Sequence, residues 1–139
     1  MDSLTVPGNL DSLQAIRDFV LAAAAEAGID ERSAYKLSMA VDEIATNIIT
    51  YGYGGSATPG DVVIQAGTEN GRLQVVLEDT SPPFDPFSRD EPSGLDAPLE
   101  ERAIGGLGVF LAKRSVDEFR YEYVDGRNRN IFVVNRTTT

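Results

Sequence analysis

A carboxylate and a carboxamide lie one helical turn apart near the end of a predicted helix. At about 100° per residue, Glu43 and Asn47 are separated by roughly 40°, on a ledge beside the apolar stripe of that helix. The amide oxygen of Asn47 is a hard ligand that suits Mg²⁺, and the Glu43 carboxylate can orient or deprotonate a hydroxyl group or a water. Two polar residues on a solvated flank would give the same short pattern, so the pair alone leaves both interpretations open.

Asp79 lies where an apolar, alternating segment gives way to a proline-rich one. A carboxylate at the end of a strand can accept a hydrogen bond from an exocyclic amine, which would distinguish adenine from a base with an acceptor at that place. The same side chain could instead cap a backbone amide at the start of a turn. Taken alone, Asp79 is a candidate base-binding residue or a turn residue.

A glycine-rich segment, Gly105-Gly106-Leu107-Gly108, leads into another predicted helix. Free backbone amides at the start of a helix can face a phosphate, and the missing Cβ atoms let the phosphate approach. The segment lacks the lysine of the G-x-x-x-x-G-K-[ST] loop and the spaced glycines of dinucleotide-binding folds. It is therefore a candidate phosphate cradle or a flexible hinge.

The elements that would position these residues begin with a short strand and a helix. Ser3–Val6 is the strand candidate. The helix that follows has Asn9 as a candidate N-cap and Gly28 beyond its end. Its apolar face, with residues at steps of three and four, is formed by Leu13, Ile16, Val20, Ala23 and Ala27.

A second helix carries the Glu43 and Asn47 pair. It is predicted to begin near Asp30 and to end at Gly52 or at Gly54-Gly55. Its buried stripe is formed by Leu37, Val41, Ile44 and Ile48.

Four further strands are predicted in two hairpins. They cover Asp61–Thr68, Arg72–Glu78, Glu118–Val124 and Asn130–Asn135. The first hairpin turns at Asn70-Gly71, which readily adopts positive φ, and the second turns at Asp125-Gly126. Residues 80–104 between the hairpins lose their periodicity and are rich in proline, which is typical of a lid or binding loop. A third helix is predicted over residues 105–115.

This order of elements, β-α-α-β-β-loop-α-β-β, predicts an α+β fold. We expect a two-layer sandwich in which three helices cover one face of a mostly antiparallel sheet. The 139 residues form one predicted domain, residues 1–139, which is large enough to bury a core without disulfides. The sequence contains no Cys and no His, which excludes thiolate and imidazole chemistry on this chain.

The charge of the chain limits its partners. Twelve Lys and Arg against 22 Asp and Glu give a net charge of −10, so the protein should repel nucleic acid and anionic membranes. Residues 101–139 carry 7 positive and 5 negative side chains, so an anionic ligand is expected near Arg102, Lys113, Arg114 and the C-terminal arginines, although scattered surface charge explains the counts equally well. No apolar run reaches about 18 residues and the N-terminus lacks a signal-peptide pattern, which predicts a cytoplasmic protein without a membrane span.

Together, these features resemble a known family. The chain is similar over almost its whole length to the Bergerat-fold (GHKL, HATPase-type) ATP-binding domains shared by gyrase and histidine kinases. Within that family it most resembles the anti-sigma regulatory factors that are serine/threonine protein kinases. The resemblance is strongest in the segments Ala40-Val41-Asp42-Glu43-Ile44-Ala45-Thr46-Asn47, Pro82-Pro83-Phe84-Asp85-Pro86 and Gly105-Gly106-Leu107-Gly108-Val109-Phe110-Leu111.

The resemblance implies an ATP and Mg²⁺ site. Glu43 falls on the catalytic glutamate of the family, Asn47 on the asparagine that holds magnesium, and Asp79 on the aspartate that binds the adenine amine. Residues 80–107 correspond to the ATP lid. The remaining implied ligands near the phosphates are Arg102, Gly105, Gly106, Leu107 and Gly108.

Two departures from the family pattern bear on its function. Ser81 stands where the family commonly has Gly, so its side chain would either crowd the purine or supply its hydroxyl as an extra ligand. Thr50 and Tyr51 stand where histidine-kinase domains tend to have Lys and many relatives have His, which favours the anti-sigma branch.

The function implied by the resemblance is that of a kinase in a partner-switching circuit. It would use Mg²⁺ and ATP to phosphorylate a serine or threonine of an anti-sigma factor antagonist, and it would sequester a sigma factor. The main alternative is a nucleotide-binding interaction module that sequesters its partner without kinase activity. An ATPase-driven clamp and an α+β domain with coincidental motifs are further alternatives, and the sequence does not decide whether the chain forms a homodimer.

Overall fold

A computed structural model describes residues 2–54, 60–83, 85–86 and 112–136 of the chain. Their centre is a five-stranded, fully antiparallel sheet with the strand order β1-β2-β3-β5-β4. The strands are β1 (Asp2–Pro7), β2 (Asp61–Glu69), β3 (Arg72–Asp79), β4 (Glu118–Val124) and β5 (Arg127–Asn135). The predicted α+β class and antiparallel sheet are confirmed.

Both predicted hairpin turns are present. Asn70 and Gly71 have φ values of 52° and 76°, and Asp125 and Gly126 have φ values of 54° and 76°. These left-handed pairs match the twist of the flanking strands, which explains why short Asn-Gly and Asp-Gly sequences close both hairpins.

One strand boundary was predicted wrongly. β5 begins at Arg127, three residues before the predicted start at Asn130. The polar run Arg127-Asn128-Arg129 hides the alternation, because both of its arginines point away from the core and its inward residue, Asn128, is polar and buried. The extra residues place Asn128 directly opposite Asp79.

Two helices pack against the sheet. The helix α1 (Leu13–Glu26) follows a turn of 3-10 helix at Leu10–Ser12, and α2 (Glu31–Asn47) is capped by Asp30, whose carboxylate accepts a 3.1 Å hydrogen bond from the Ser33 amide. A π-helical turn, Ile48–Gly52, extends the end of α2. The predicted start near Asp30 and the predicted end near Gly52 are therefore confirmed.

The core lies between these helices and the inner face of the sheet, which is the face that carries Val75 and Phe132. The whole predicted stripe of α2 is buried: Leu37, Val41, Ile44 and Ile48 are at most 3% exposed. On α1, Ile16 and Val20 are fully buried, while the other predicted stripe residues, Leu13, Ala23 and Ala27, pack at the margin of the core.

The third predicted helix is described only at residues 112–115, which are helical. Residues 105–111, and most of the predicted lid at 80–107, lie outside the described residues. No helix in the described part of the chain combines the length and the apolar character needed to cross a membrane.

Candidate functional site

Asp79 is the last residue of β3 and lies on the inner face of the sheet. It pairs with Val62 on one side and with Asn128 on the other. Only 2% of Asp79 is exposed. The sequence predicted that this carboxylate lies at the end of a strand. The structure confirms that position and shows that the carboxylate is buried.

The two carboxylate oxygens of Asp79 have different surroundings. Oδ1 accepts hydrogen bonds from the Ser81 amide at 3.0 Å, the Ser81 hydroxyl at 2.5 Å and the Asn128 side-chain amide at 3.0 Å. Oδ2 is buried and accepts no hydrogen bond from any residue that the structure describes. Because almost all buried polar atoms in proteins are paired, Oδ2 is an acceptor to which a bound molecule could donate.

Burial dominates the ionisation of Asp79. Loss of water around the carboxyl raises the pKa of Asp79 above its ordinary value, and the hydrogen bonds from Ser81 and Asn128 offset part of that rise. The local bonds therefore stabilise the charged form at one oxygen only. A donor that reached Oδ2 would relieve the remaining penalty.

Asn128 is a candidate site residue that was not predicted from the sequence. Its amide nitrogen donates to Asp79 and also to the Ser81 carbonyl at 3.0 Å, and its own oxygen accepts from the Tyr121 hydroxyl. It therefore holds the Asp79 carboxylate and the start of the following loop in one arrangement. The available signal was the alternation of β5 itself, because residues 128, 130, 132 and 134 share the inner face once the strand starts at Arg127.

Ser81 was expected either to crowd a purine or to contribute its hydroxyl as a ligand. The structure shows that the hydroxyl donates to Asp79 and that Ser81 is 3% exposed. The side chain also lies against the end of α2, because a Cβ added to Gly52 would come within 2.7 Å of the Ser81 hydroxyl oxygen. Ser81 is therefore a support for Asp79 in this structure.

A second contact ties the same two segments together. The Tyr53 hydroxyl, just beyond the π-helical turn, donates to the Asp61 carbonyl at 2.8 Å and accepts from the Thr80 amide at 2.9 Å. Through Tyr53 and Gly52, the end of the helix that carries Asn47 is held against the residues that follow Asp79.

Glu43 and Asn47 lie on α2 as predicted, with Asn47 as its last residue. Asn47 is 5% exposed, and none of the side-chain hydrogen bonds among the described residues involves it. Glu43 is half-buried, and burial, followed by the negative charge of Asp42, raises the pKa of Glu43. A carboxylate with a raised pKa is better suited to accept a proton near neutral pH.

The donor set fits a nucleotide with a bound cation. Asp79 Oδ2 can accept from an exocyclic amine, and the Asn47 amide can supply an oxygen ligand to Mg²⁺. Among the described residues there is no group of three or more acidic side chains that could hold a metal ion by themselves. The predicted phosphate contacts at Arg102, Gly105, Gly106, Leu107 and Gly108 lie outside the described residues.

Two of the C-terminal arginines, Arg127 and Arg129, do not face Asp79. Arg129 bonds Glu78 at 3.1 Å and Glu122 at 2.7 Å, and Arg127 bonds Glu78 at 3.2 Å. Since Glu78 points to the outer face of the sheet and Asp79 to the inner face, these two arginines are on the wrong side to hold an anion beside Asp79.

An open groove of about 800 Å³ lies at the opposite end of the sheet, around the Asn70 turn. Its lining includes Glu26, Glu69 and Arg72, but none of the candidate site residues Glu43, Asn47, Asp79, Ser81 and Asn128. The groove is wide and polar, whereas the Asp79 network is buried and holds an unpaired acceptor. The Asp79 end of the sheet is therefore the better candidate for a ligand site.

Comparison with protein families gives a match over nearly the whole chain. Residues 6–133 match the family described as histidine kinase-like ATPase domain. Among curated proteins, the chain is 29% identical over 93 residues to the serine-protein kinase RsbW of Bacillus licheniformis, a match that covers 65% of this chain and 58% of the relative. It is 27% identical over 126 residues to the serine-protein kinase RsbW of Bacillus subtilis, covering 88% of this chain and 78% of that protein.

Solved structures share the fold. The RsbU and RsbW domains of a Mycobacterium tuberculosis protein align with a TM-score of 0.65 at 16% identity, over 100% of this chain and 35% of that one. The catalytic domain of the histidine kinase ThkA aligns over 100% of both chains with a TM-score of 0.56 at 14% identity. The family match, together with the strand order and the helix layer, confirms the resemblance described from the motifs. The chain belongs to the histidine kinase-like ATPase domain family.

Proposed function

We propose that the chain binds Mg²⁺ and ATP and transfers the γ-phosphoryl group to a serine or threonine of a partner protein. The observation that carries this proposal is the unpaired, buried Oδ2 of Asp79, held beside the end of the helix that carries Glu43 and Asn47. Membership of an ATPase-domain family and likeness to proteins named serine-protein kinase support it.

Asp79 would bind the base. Oδ1 is occupied by donors from Ser81 and Asn128, so a single acceptor, Oδ2, is left for the ligand. An acceptor at that place suits the amine of adenine and opposes the carbonyl oxygen that guanine carries there. Rejection of guanine follows, because two acceptors facing each other would leave both unpaired in a buried place.

Asn47 would hold Mg²⁺ through its amide oxygen. A cation held there would neutralise phosphate charge, which matters because the protein itself has a net charge of −10. The predicted glycines and Arg102 would contribute amides and a positive charge to the phosphates, and they complete the expected ligand set.

Glu43 would accept the proton of the partner hydroxyl. In the transfer, the hydroxyl oxygen forms a bond to the γ-phosphorus and the bond from that phosphorus to its bridging oxygen breaks. ADP leaves and the hydroxyl proton passes to Glu43. The half-buried position and raised pKa of Glu43 support this role, because a base with a pKa closer to neutral accepts a proton more readily. The remaining catalysis of phosphoryl transfer comes mostly from positioning and charge stabilisation.

The partners we propose are an anti-sigma factor antagonist, as the phosphorylated protein, and a sigma factor that the domain sequesters. These partners follow from the family resemblance, and the relatives named serine-protein kinase support a protein serine as the acceptor. The assignment is a proposal at the level of the whole protein, because the chain spans 58% of the length of the Bacillus licheniformis relative.

The test is the Glu43→Gln variant, assayed with γ-labelled ATP and purified candidate antagonist proteins from the same genome. We expect at least a hundredfold loss of phosphoryl transfer, since general-base groups contribute roughly 10²–10⁴-fold, with ATP affinity changed less than threefold. Glu26→Gln, which alters an exposed glutamate at the end of α1, is the matched control and should keep full activity.

Two results would contradict the kinase proposal. If the wild type binds ATP but labels no antagonist protein, the domain acts as a nucleotide-binding interaction module, the main alternative. If Glu43→Gln transfers phosphate as fast as the wild type does, Glu43 is not the proton acceptor.

A further inference from the structure

A second buried acceptor lies on the same face of the sheet as Asp79. Asn130 is 2% exposed, and its side-chain oxygen Oδ1 accepts no hydrogen bond from residues 2–54, 60–83, 85–86 or 112–136. In the described part of the chain, Asn130 Oδ1 and Asp79 Oδ2 are the two buried side-chain atoms without a partner. A buried acceptor without a partner is destabilising and rare in native proteins, so two neighbouring ones call for a common explanation.

The register of the sheet places these two residues side by side. Asp79 is directly opposite Asn128, and Asn130 is two residues further along the same strand and on the same inner face. Diagonal neighbours of this kind are about 7–8 Å apart, with their Cβ atoms somewhat closer. The two N–H bonds of an exocyclic amine diverge by about 120°, so one amine can bond two oxygens that are about 5 Å apart, a separation that side chains at these two positions can reach.

Asn130 lies on the inner face of the sheet, towards the helix layer rather than towards solvent. It pairs with Leu77 on β3 and with Tyr121 on β4, and α2, the helix that carries Glu43 and Asn47, packs against β5. Asn128, by contrast, is saturated by Asp79, Ser81 and Tyr121 and has little left to offer a ligand.

We propose that Asn130 is a second specificity-determining residue for the base, accepting the other N–H of the same exocyclic amine. This inference rests on the proposed nucleotide function. Asp79 Oδ2 would accept one amine hydrogen and Asn130 Oδ1 the second, so that both unpaired acceptors are satisfied by one group. The ligand class is therefore a purine with a primary amine, and a base that has lost that amine loses two hydrogen bonds.

The experiment compares ATP with purine riboside triphosphate, which lacks the 6-amine. Each hydrogen bond at a buried site is worth about tenfold in affinity. We expect the wild type to prefer ATP by about a hundredfold and Asn130→Leu, which is nearly isosteric, to prefer ATP by about tenfold. Asn135→Leu changes the same residue type at the exposed end of the same strand and should keep the wild-type preference.

A second readout separates base recognition from a structural role. Removing an unpaired buried acceptor should raise the midpoint of thermal unfolding of nucleotide-free Asn130→Leu above that of the wild type. A lower midpoint, combined with an unchanged preference for ATP, would mean that Asn130 is structural and would overturn the inference.

The outcomes distinguish this inference from the function on which it rests. If the wild type binds ATP and Asp79→Asn weakens it, but Asn130→Leu keeps the full preference, only the inference about Asn130 fails. A wild-type preference below about tenfold would also overturn it, without the need for any variant. Absence of ATP binding by the wild type would overturn both.

Discussion

At the scale of single residues, the candidate site depends on which polar atoms are left unpaired. Asp79 could be named as a candidate from the sequence because it ends a strand and matches a family motif, and its strand-end position is confirmed. Asn128 and Asn130 could not, because their inward orientation depends on where β5 starts, and the polar run 127–129 concealed that start. The role of Ser81 was equally hidden, since a hydrogen bond to its neighbour Asp79 needs the loop geometry after β3.

We expect Asp79→Asn to make the nucleotide-free protein more stable near pH 7. Burial raises the pKa of Asp79 above its ordinary value of 3.8, so the folded state holds the proton more tightly than the unfolded state does. Wild-type stability should therefore fall as the pH rises from about 3.8 through the higher pKa of the folded form. The asparagine variant has no such loss.

Thermal unfolding as a function of pH measures this difference. The gap between the unfolding midpoints of Asp79→Asn and the wild type should widen as the pH rises above about 3.8 and become constant once the pH has passed the raised pKa of Asp79 in the folded state. Asp61→Asn, at an exposed position on β2, is the control and should leave the profile unchanged. A variant that is less stable by the same amount at every pH would show that Asp79 is not penalised by burial.

At the scale of elements, the decisive contact joins the end of α2 to the exit of β3. The sequence predicted both elements and their hairpin turns, because helical and strand periodicities are local signals. It did not predict that Gly52 and Tyr53 hold residues 80 and 81 in place, since this contact joins positions 27 or more residues apart in the chain.

We expect Gly52→Ala to weaken ATP binding by about fivefold or more. The added Cβ would lie 2.7 Å from the Ser81 hydroxyl oxygen and 3.2 Å from the Ser81 Cβ, so Ser81 must move away from Asp79. Overpacking of this kind costs about 1–3 kcal/mol. The double variant Gly52→Ala/Ser81→Gly removes the obstructing side chain and should recover part of the affinity, as measured by calorimetric titration.

Gly71→Ala is the matched control for this prediction. An added Cβ there meets nothing within 4 Å, but its φ of 76° is strained for alanine, so the variant should lose stability while its ATP affinity stays the same. If Gly52→Ala binds ATP as tightly as the wild type, the contact between α2 and β3 does not position Asp79.

At the scale of the whole molecule, the two faces of the sheet have different roles. The inner face carries the core and, at one end, the unpaired acceptors of Asp79 and Asn130. The outer face carries the ion pairs of Arg127 and Arg129, so these two arginines of the positively charged last third of the sequence do not lie beside Asp79. Net charge could be read from composition, whereas its distribution between faces required the strand register.

The most direct test of the central claim is a titration of ATP in the presence of Mg²⁺ into the wild type and Asp79→Asn. We expect micromolar affinity for the wild type and a loss of about thirtyfold, or ~2 kcal/mol, in the variant. The reason is that the amide nitrogen of the asparagine would take the place of Oδ2, so that two hydrogen-bond donors, this nitrogen and the adenine amine, would face each other. Since Asp79→Asn should also be the more stable protein, weak binding could not be attributed to unfolding. Equal affinity of the two proteins for ATP would contradict the assignment of the base site.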